Sequence, residues 1–187
     1  MHTKGLLITD YLFYERTLPY VLATIAVIVV LAIIGKCVSQ KIVKRIFLLF
    51  FCVYIVGVLS ITVFMRESGE SMQFEWNVLG AFQRAFQITE GKLHYTTRDN
   101  IIELALNITL FVPFGFLLSG IKKTRKWYWN IIAMEMIMSF LIETIQYFLC
   151  LGQGELADVI NNSLGVVIGV TAHNLLMKRK KTGGEKE

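Results

Sequence analysis

Three carboxylates and three amides stand out because they interrupt stretches that are otherwise apolar: Glu103 with Asn107, Glu143 with Gln146, and Asp158 with Asn162. Each pair is spaced i, i+3 or i, i+4, which puts it on one face of a helix. Asn161, three residues after Asp158, joins the last set. Carboxylates brought together can act as general acid and base, or hold a divalent cation. Amides offer donors and acceptors side by side. The mix suits a sugar, an amide or a peptide group, and it suits equally a plain interhelical hydrogen-bond network. At 1.5 Å rise per residue, Asn107, Glu143 and Asn162 each lie ~10 Å from the same end of the bundle, so three helices would share one polar layer. Glu135 sits apart, deeper in its stretch. It either carries a proton or faces a polar group such as His173 or Asn174 of the last stretch.

Elements long enough to cross a membrane must position these groups. Hydrophobic residues make up 55% of the 187-residue chain and charged residues only 18%, with a mean hydropathy of +0.56. A soluble domain is about 45–50% apolar and about 25% charged. Five stretches approach the ~20 apolar residues that span a bilayer: 18–35, 46–65, 101–121, 127–150 and 156–177. They are too long, and alternate too little, for barrel strands. The expectation is an all-α integral membrane bundle of five transmembrane helices, forming one domain over 1–187. The first stretch reads as a retained span, because no small-x-small cleavage site follows in Lys36-Cys37-Val38-Ser39-Gln40. Cys37, Cys52 and Cys150 form no CxxC pair and read as apolar packing residues.

Lysine and arginine set the orientation. Lys36, Lys41, Lys44 and Arg45 fall in one loop, Lys122, Lys123, Arg125 and Lys126 in another, and Lys178, Arg179, Lys180, Lys181 and Lys186 in the tail. Lys4, Arg16, Arg66, Arg84, Lys92 and Arg98 take the opposite side. The alternation fits five spans with the N-terminus outside and the C-terminus in the cytoplasm, so the polar layer lies toward the outside. Tyr11, Phe13, Tyr14, Tyr20, Trp127, Tyr128, Trp129, Tyr147 and Phe148 read as interface anchors. In the long outer loop, 66–100, Phe74, Val78, Leu79, Phe82 and Phe86 recur at helical spacing. This predicts a short amphipathic helix over 74–86, lying on the outer surface or covering the bundle as a lid. His94 in the same loop reads as a solvated side chain.

Two spans carry further signals. In the last, one face runs from Asp158 and Asn162 to Gly165 and Gly169, polar near the outside and small further in. The two glycines permit close backbone approach of a neighbouring helix. In the third, Pro113 with Gly115 behind it frees the carbonyl of Thr109 and predicts a kink that could open a cavity under the outer surface. Nothing calls for a cofactor or a metal: GxxxxGKS/T, GxGxxG, HExxH and GxSxG are absent, and the histidines do not cluster. No internal repeat points to a transporter, and no basic helix interleaved with aromatics points to nucleic acid.

Three ordered segments resemble the VanZ-like membrane family. Asn107-Ile-Thr-Leu-Phe-Val-Pro113-Phe-Gly115-Phe-Leu-Leu118 is similar to its N-x-x-x-F-x-P-x-G-F-L-L stretch. Ser139-Phe-Leu-Ile-Glu143-Thr-Ile-Gln146 is similar to its S-x-x-x-E-x-x-Q stretch. Asp158-Val-Ile-Asn-Asn162-Ser-Leu-Gly165-Val-Val-Ile-Gly169 is similar to its D-x-x-x-N-T-x-G-x-x-x-G stretch. Asn77-Val-Leu-Gly-Ala-Phe82 is a weaker counterpart of an N-L-I-P-F element, and Arg66 stands near the family's arginine after the second helix. The likeness spans about 66–170. It departs where relatives carry an arginine and a second aspartate before the last motif: this chain reads Gly152-Gln153-Gly154-Glu155, then Ala157. The outer-loop proline is also absent, and Ser163 replaces the usual threonine. The resemblance implies a multi-pass protein of the bacterial cytoplasmic membrane with a cell-envelope role. One member of the family is associated with resistance to teicoplanin, a lipoglycopeptide that attacks wall precursors at the outer face. No known reaction comes with it.

The residues support three readings. In the first, Asn107, Glu143, Gln146, Asp158, Asn162 and Glu103 line an outward polar pocket, shaped by Pro113, Gly115, Gly165 and Gly169. It would bind a membrane lipid, a lipid-linked wall precursor or a lipoglycopeptide. In the second, Glu143 and Asp158 act as acid and base on an outer-leaflet lipid or precursor. In the third, the layer only assembles the bundle or binds a protein partner.

Overall fold

The computed structural model describes residues 18–64, 73–85, 88–89, 92–93, 95–121, 124–151 and 154–177. Arg66, His94, the basic tail from Lys178 and the aromatic residues before position 18 lie outside the described residues. The chain is predominantly helical. Helix α1 spans Leu18–Cys37 and α2 spans Gln40–Leu59, continued by a π-helical turn at Ser60–Phe64. Strand β1 is Phe74–Glu75, α3 is Gly80–Ala85, and β2 (Ile88–Thr89) pairs antiparallel with β3 (Lys92–Leu93). Then come α4 (Tyr95–Ile121), α5 (Arg125–Leu149), β4 (Gly154–Glu155) and α6 (Leu156–Leu176).

Among the described residues, four helical stretches are long and apolar enough to cross a membrane: Gln40–Phe64, Asn100–Ile121, Lys126–Leu149 and Leu156–Leu176. The apolar part of α1, Val21–Cys37, is shorter. Large side chains exposed on the outer surfaces of α1, α2, α5 and α6, such as Ile33, Val53, Ile137 and Leu175, are what a bilayer would cover. Cys37 and Cys52 are exposed among them and Cys150 is half-buried, so these two are not packed inside the bundle as expected.

The expected amphipathic helix over 74–86 is largely replaced by other structure. Phe74 and Glu75 form a strand that pairs parallel with β4, in the register Phe74–Gly154 and Glu75–Glu155. Among the described residues of that stretch, only Gly80–Ala85 is helical. Asn77 explains the late start: its side-chain oxygen accepts from the Leu79 N–H at 3.1 Å, and its carbonyl accepts from the Gly80 N–H at 2.9 Å. An Asx turn of this kind competes with helix and precedes it. The Phe74 ring packs against Trp76 and Tyr147, and lies where any side chain on Gly154 would have to go.

The centre of the bundle is the pair α4–α6. A Cβ added to Gly165 would meet the carbonyl oxygen of Ile108, one on Gly169 that of Val112, and one on Gly115 that of Val166. The two backbones therefore touch, as small residues allow in membrane helices. Around this pair, α1 and α2 add Leu31, Val43 and Phe47 against Phe116 and Met177. Helix α5 adds Ile131 and Ile142 against Phe111, Phe114, Leu118 and Val166. Thr124 caps α5 by accepting from the Trp127 N–H at 3.2 Å. The Trp127 indole donates to the Leu118 carbonyl at 2.9 Å, and the Tyr128 hydroxyl to Asn174 Oδ1 at 2.9 Å. Expected as interface anchors, both aromatics also fasten α5 to its neighbours. At the other end of α5, Cys150 takes the left-handed conformation (φ 52°) and the Leu151 N–H returns to the Gln146 carbonyl at 2.9 Å. This closing turn sends the chain into β4.

Candidate functional site

One stripe of α5 carries Glu135, Ser139, Glu143 and Gln146, separated by four, four and three residues. Such steps keep a side chain on one helix face and advance it by ~6 Å per four residues. All four are buried: Glu135 and Ser139 completely, Gln146 to 2% exposure and Glu143 to 4%. A buried polar atom without a partner is costly, so each of these must be met by something.

At the strand end of the bundle, Gln146 Nε2 donates to the Thr62 carbonyl at 2.9 Å, in the π-helical turn. One turn deeper, Glu143 Oε2 accepts from the Glu155 N–H at 3.0 Å. Glu155 is both the second residue of β4 and the N-cap position of α6. Glu143 thereby fixes the corner where the strand pair hands over to the last helix. Next, Asn162 Nδ2 donates to Ser139 Oγ at 2.7 Å. Deepest, Ser163 Oγ lies 2.6 Å from Glu135 Oε2 and 2.9 Å from the Val159 carbonyl.

The expected layer is thus assembled mainly between α5 and α6. Glu143, Gln146 and Asn162 are in it. Asp158 sits half-buried in the first turn of α6, where a carboxylate complements the positive end of the helix dipole. Asn107 of α4 is half-buried and Glu103 is exposed. Asn161 is 1% exposed, and neither of its amide atoms has a hydrogen-bond partner. Its register, four residues from both Ala157 and Gly165, puts it on the α4 side. Among the described residues, no three His, Cys, Asp or Glu side chains converge as a metal site needs.

Two expectations are corrected. Glu135 does not face His173 or Asn174: it meets Ser163. His173 is fully buried edge-on to the rings of Phe47 and Phe116, and Asn174 takes the Tyr128 hydroxyl. Asn162 and Gly165 do not share one seam either, since Asn162 turns to α5 and Gly165 to α4. As for Pro113, α4 runs through it from Tyr95 to Ile121. Three residues before it, the Leu110 carbonyl accepts the Tyr54 hydroxyl at 2.7 Å. Tyr54 carries a signal in the sequence: it stands mid-span in α2, away from the ends where aromatic anchors belong.

A family model described as VanZ/LLP1 matches residues 46–177, a stretch that runs from α2 through α6 and contains the whole polar layer. This chain belongs to the VanZ/LLP1 family. The VanZ-like segments around Asn107, Glu143 and Asp158 all fall inside the matched stretch. Protein VanZ of Enterococcus faecium is 28% identical over 109 residues, which cover 57% of this chain and 65% of that relative. The alignment therefore takes in less than two thirds of that VanZ protein. No solved structure matches the chain.

Proposed function

We propose that this VanZ-like chain is a cell-envelope protein of the bacterial cytoplasmic membrane that binds an envelope ligand at the strand end of the α5–α6 pair. The ligand class is an envelope lipid headgroup, a lipid-linked wall precursor or the sugar-peptide part of a lipoglycopeptide such as teicoplanin. The observation that carries this reading is the gathering of Glu143, Gln146, Asp158 and Asn162 at one end of two adjacent helices, beneath the β1–β4 pair. Glu143 and Gln146 spend a hydrogen bond each on backbone groups, so they hold the frame. Asp158 and Asn107 are both half-buried, so neither is shut off from a ligand at this end. The basic loops at 36–45 and 122–126 support a reading in which this end faces outside, with five spans if α1 is counted and the N-terminus outside. Lipoglycopeptide resistance is the role the family resemblance implies.

Asp158→Ala and Asn107→Ala test the reading in cells challenged with teicoplanin. Protection should fall with membrane abundance unchanged, and unchanged protection in both variants would refute the site. Covalent profiles of envelope lipids and wall precursors, with and without the protein, separate binding from catalysis. Binding leaves them alone. A new species would make Glu143 and Asp158 an acid–base pair instead.

A second reading has its own support. The links Gln146–Thr62, Asn162–Ser139 and Glu143–Glu155 join separate elements, as in a network that only assembles a bundle. On that reading the Asp158 and Asn107 variants would lose folded protein together with any activity.

A further inference from the structure

Glu135 is the deepest carboxyl of the α5 stripe. It lies two four-residue steps, ~12 Å, from Glu143 along the helix axis. Its side chain is fully buried, and Oε1 has no hydrogen-bond partner. The titratable group facing it from α2 is the Tyr54 hydroxyl, which is engaged with the Leu110 carbonyl. From α6 it meets the neutral Ser163, and Ser139 follows it on its own helix. No lysine, arginine or histidine among the described residues is bonded to it. An ionised carboxylate so placed would stand uncompensated in the membrane interior.

Counting hydrogens decides what it holds. Ser163 Oγ is within hydrogen-bond distance of two acceptors, Glu135 Oε2 at 2.6 Å and the Val159 carbonyl at 2.9 Å. A serine hydroxyl has one hydrogen and cannot give it to both. A proton on Glu135 Oε2 removes the conflict. The carboxyl then donates to Ser163 Oγ, and the serine hydrogen is free for Val159. The short 2.6 Å contact suits a carboxylic O–H donor, and Oε1 becomes a neutral acceptor, cheaper to leave unmet than a carboxylate oxygen.

We propose that Glu135 is a proton-binding site in the interior of the bundle, held as the neutral carboxylic acid against Ser163. This inference does not depend on the ligand proposed above. The proton is taken from water by forming the Glu135 Oε2–H bond, and it returns to water when that bond breaks.

Infrared difference spectra of the full chain in lipid bilayers, wild type against Glu135→Gln, test it. At neutral pH the wild type should show a protonated-carboxyl C=O stretch that the variant lacks. The band should move to lower frequency in D2O. Ser163→Ala, which leaves Glu135 in place, should shift the band as its partner disappears. A carboxylate stretch in place of the C=O band would overturn the proposal. So would a C=O band that D2O never moves, or one indifferent to Ser163→Ala. If Glu135→Gln does not fold, Glu135→Asp replaces it, and the band must then be displaced, not deleted.

Discussion

Helix α6 makes two seams by opposite means. Toward α4 it presents Gly165 and Gly169, and the backbones touch with no side chain between them. Toward α5 it presents Asn162 and Ser163, which reach Ser139 and Glu135 by hydrogen bonds. In lipid there is no hydrophobic drive to join helices, so close packing and hydrogen bonds are the available terms. Here they are separated onto two faces of one helix. The glycine seam fixes distance, because any added atom meets a carbonyl. The polar seam fixes rotation and depth, because Asn162 and Ser163 each reach a particular side chain of α5. A helix held by both cannot slide or turn, and that rigidity is what a polar layer at its start requires.

Breaking the glycine seam should have the largest effect. Gly165→Leu or Gly169→Leu puts side-chain atoms into the α4 backbone, which cannot move aside as a side chain would. Overpacking costs about 1–3 kcal/mol in ordinary cores, and more where backbone is the obstacle. We expect both variants to be lost from the membrane or to elute as aggregates in mild detergent. Full thermal stability in either would show that the seam is looser than described. Even alanine should cost measurably here, although alanine normally stabilises a helix relative to glycine.

Glu143→Ala comes next. It leaves the Glu155 N–H at the start of α6 without its acceptor, at a cost of about 1–3 kcal/mol if water does not replace it. A lowered midpoint of thermal unfolding in detergent checks this. Glu143→Gln keeps an acceptor oxygen and should recover most of the loss. Equal losses in the two would mean that the charge matters more than the bond to Glu155.

How much of this was legible in the sequence follows the same division. Gly165 and Gly169 announced a close seam because the absence of a side chain is itself the signal. The long spans were legible because apolar length maps directly onto bilayer thickness. Asn162 and Glu143 were legible as buried polar groups, since a polar side chain in an apolar span has to be accounted for. Their partners were not. Helical spacing tells which residues share a face, but the rotation of α6 between two neighbours depends on both at once. Asn162 and Gly165 are three apart and still diverge to α5 and α4. The strand at Phe74–Glu75 was illegible for a related reason. Its partner, Gly154–Glu155, lies about eighty residues away, and periodicity carries no information about such pairing. Apolar residues at helical spacing fit Phe74 through Phe86, yet Asn77 and the distant strand overrode the local pattern.

The smallest effect belongs to the polar seam, and it is the sharpest test of the contrast. A double-mutant cycle on Asn162→Ala and Ser139→Ala isolates the 2.7 Å contact from everything else the two residues touch. Interhelical hydrogen bonds in membranes average about 0.6 kcal/mol, because the separated helices also find partners. We therefore expect a coupling of about 0.6 kcal/mol, read from unfolding in detergent. The single Asn162 variant should lose more, since it also removes a buried side chain. A coupling near zero would mean that the seam is held by packing alone, and then nothing would distinguish it from the glycine seam. A coupling above about 2 kcal/mol would mean that the Ser139–Asn162 bond is part of a connected network, since single pairs in lipid stay below that value.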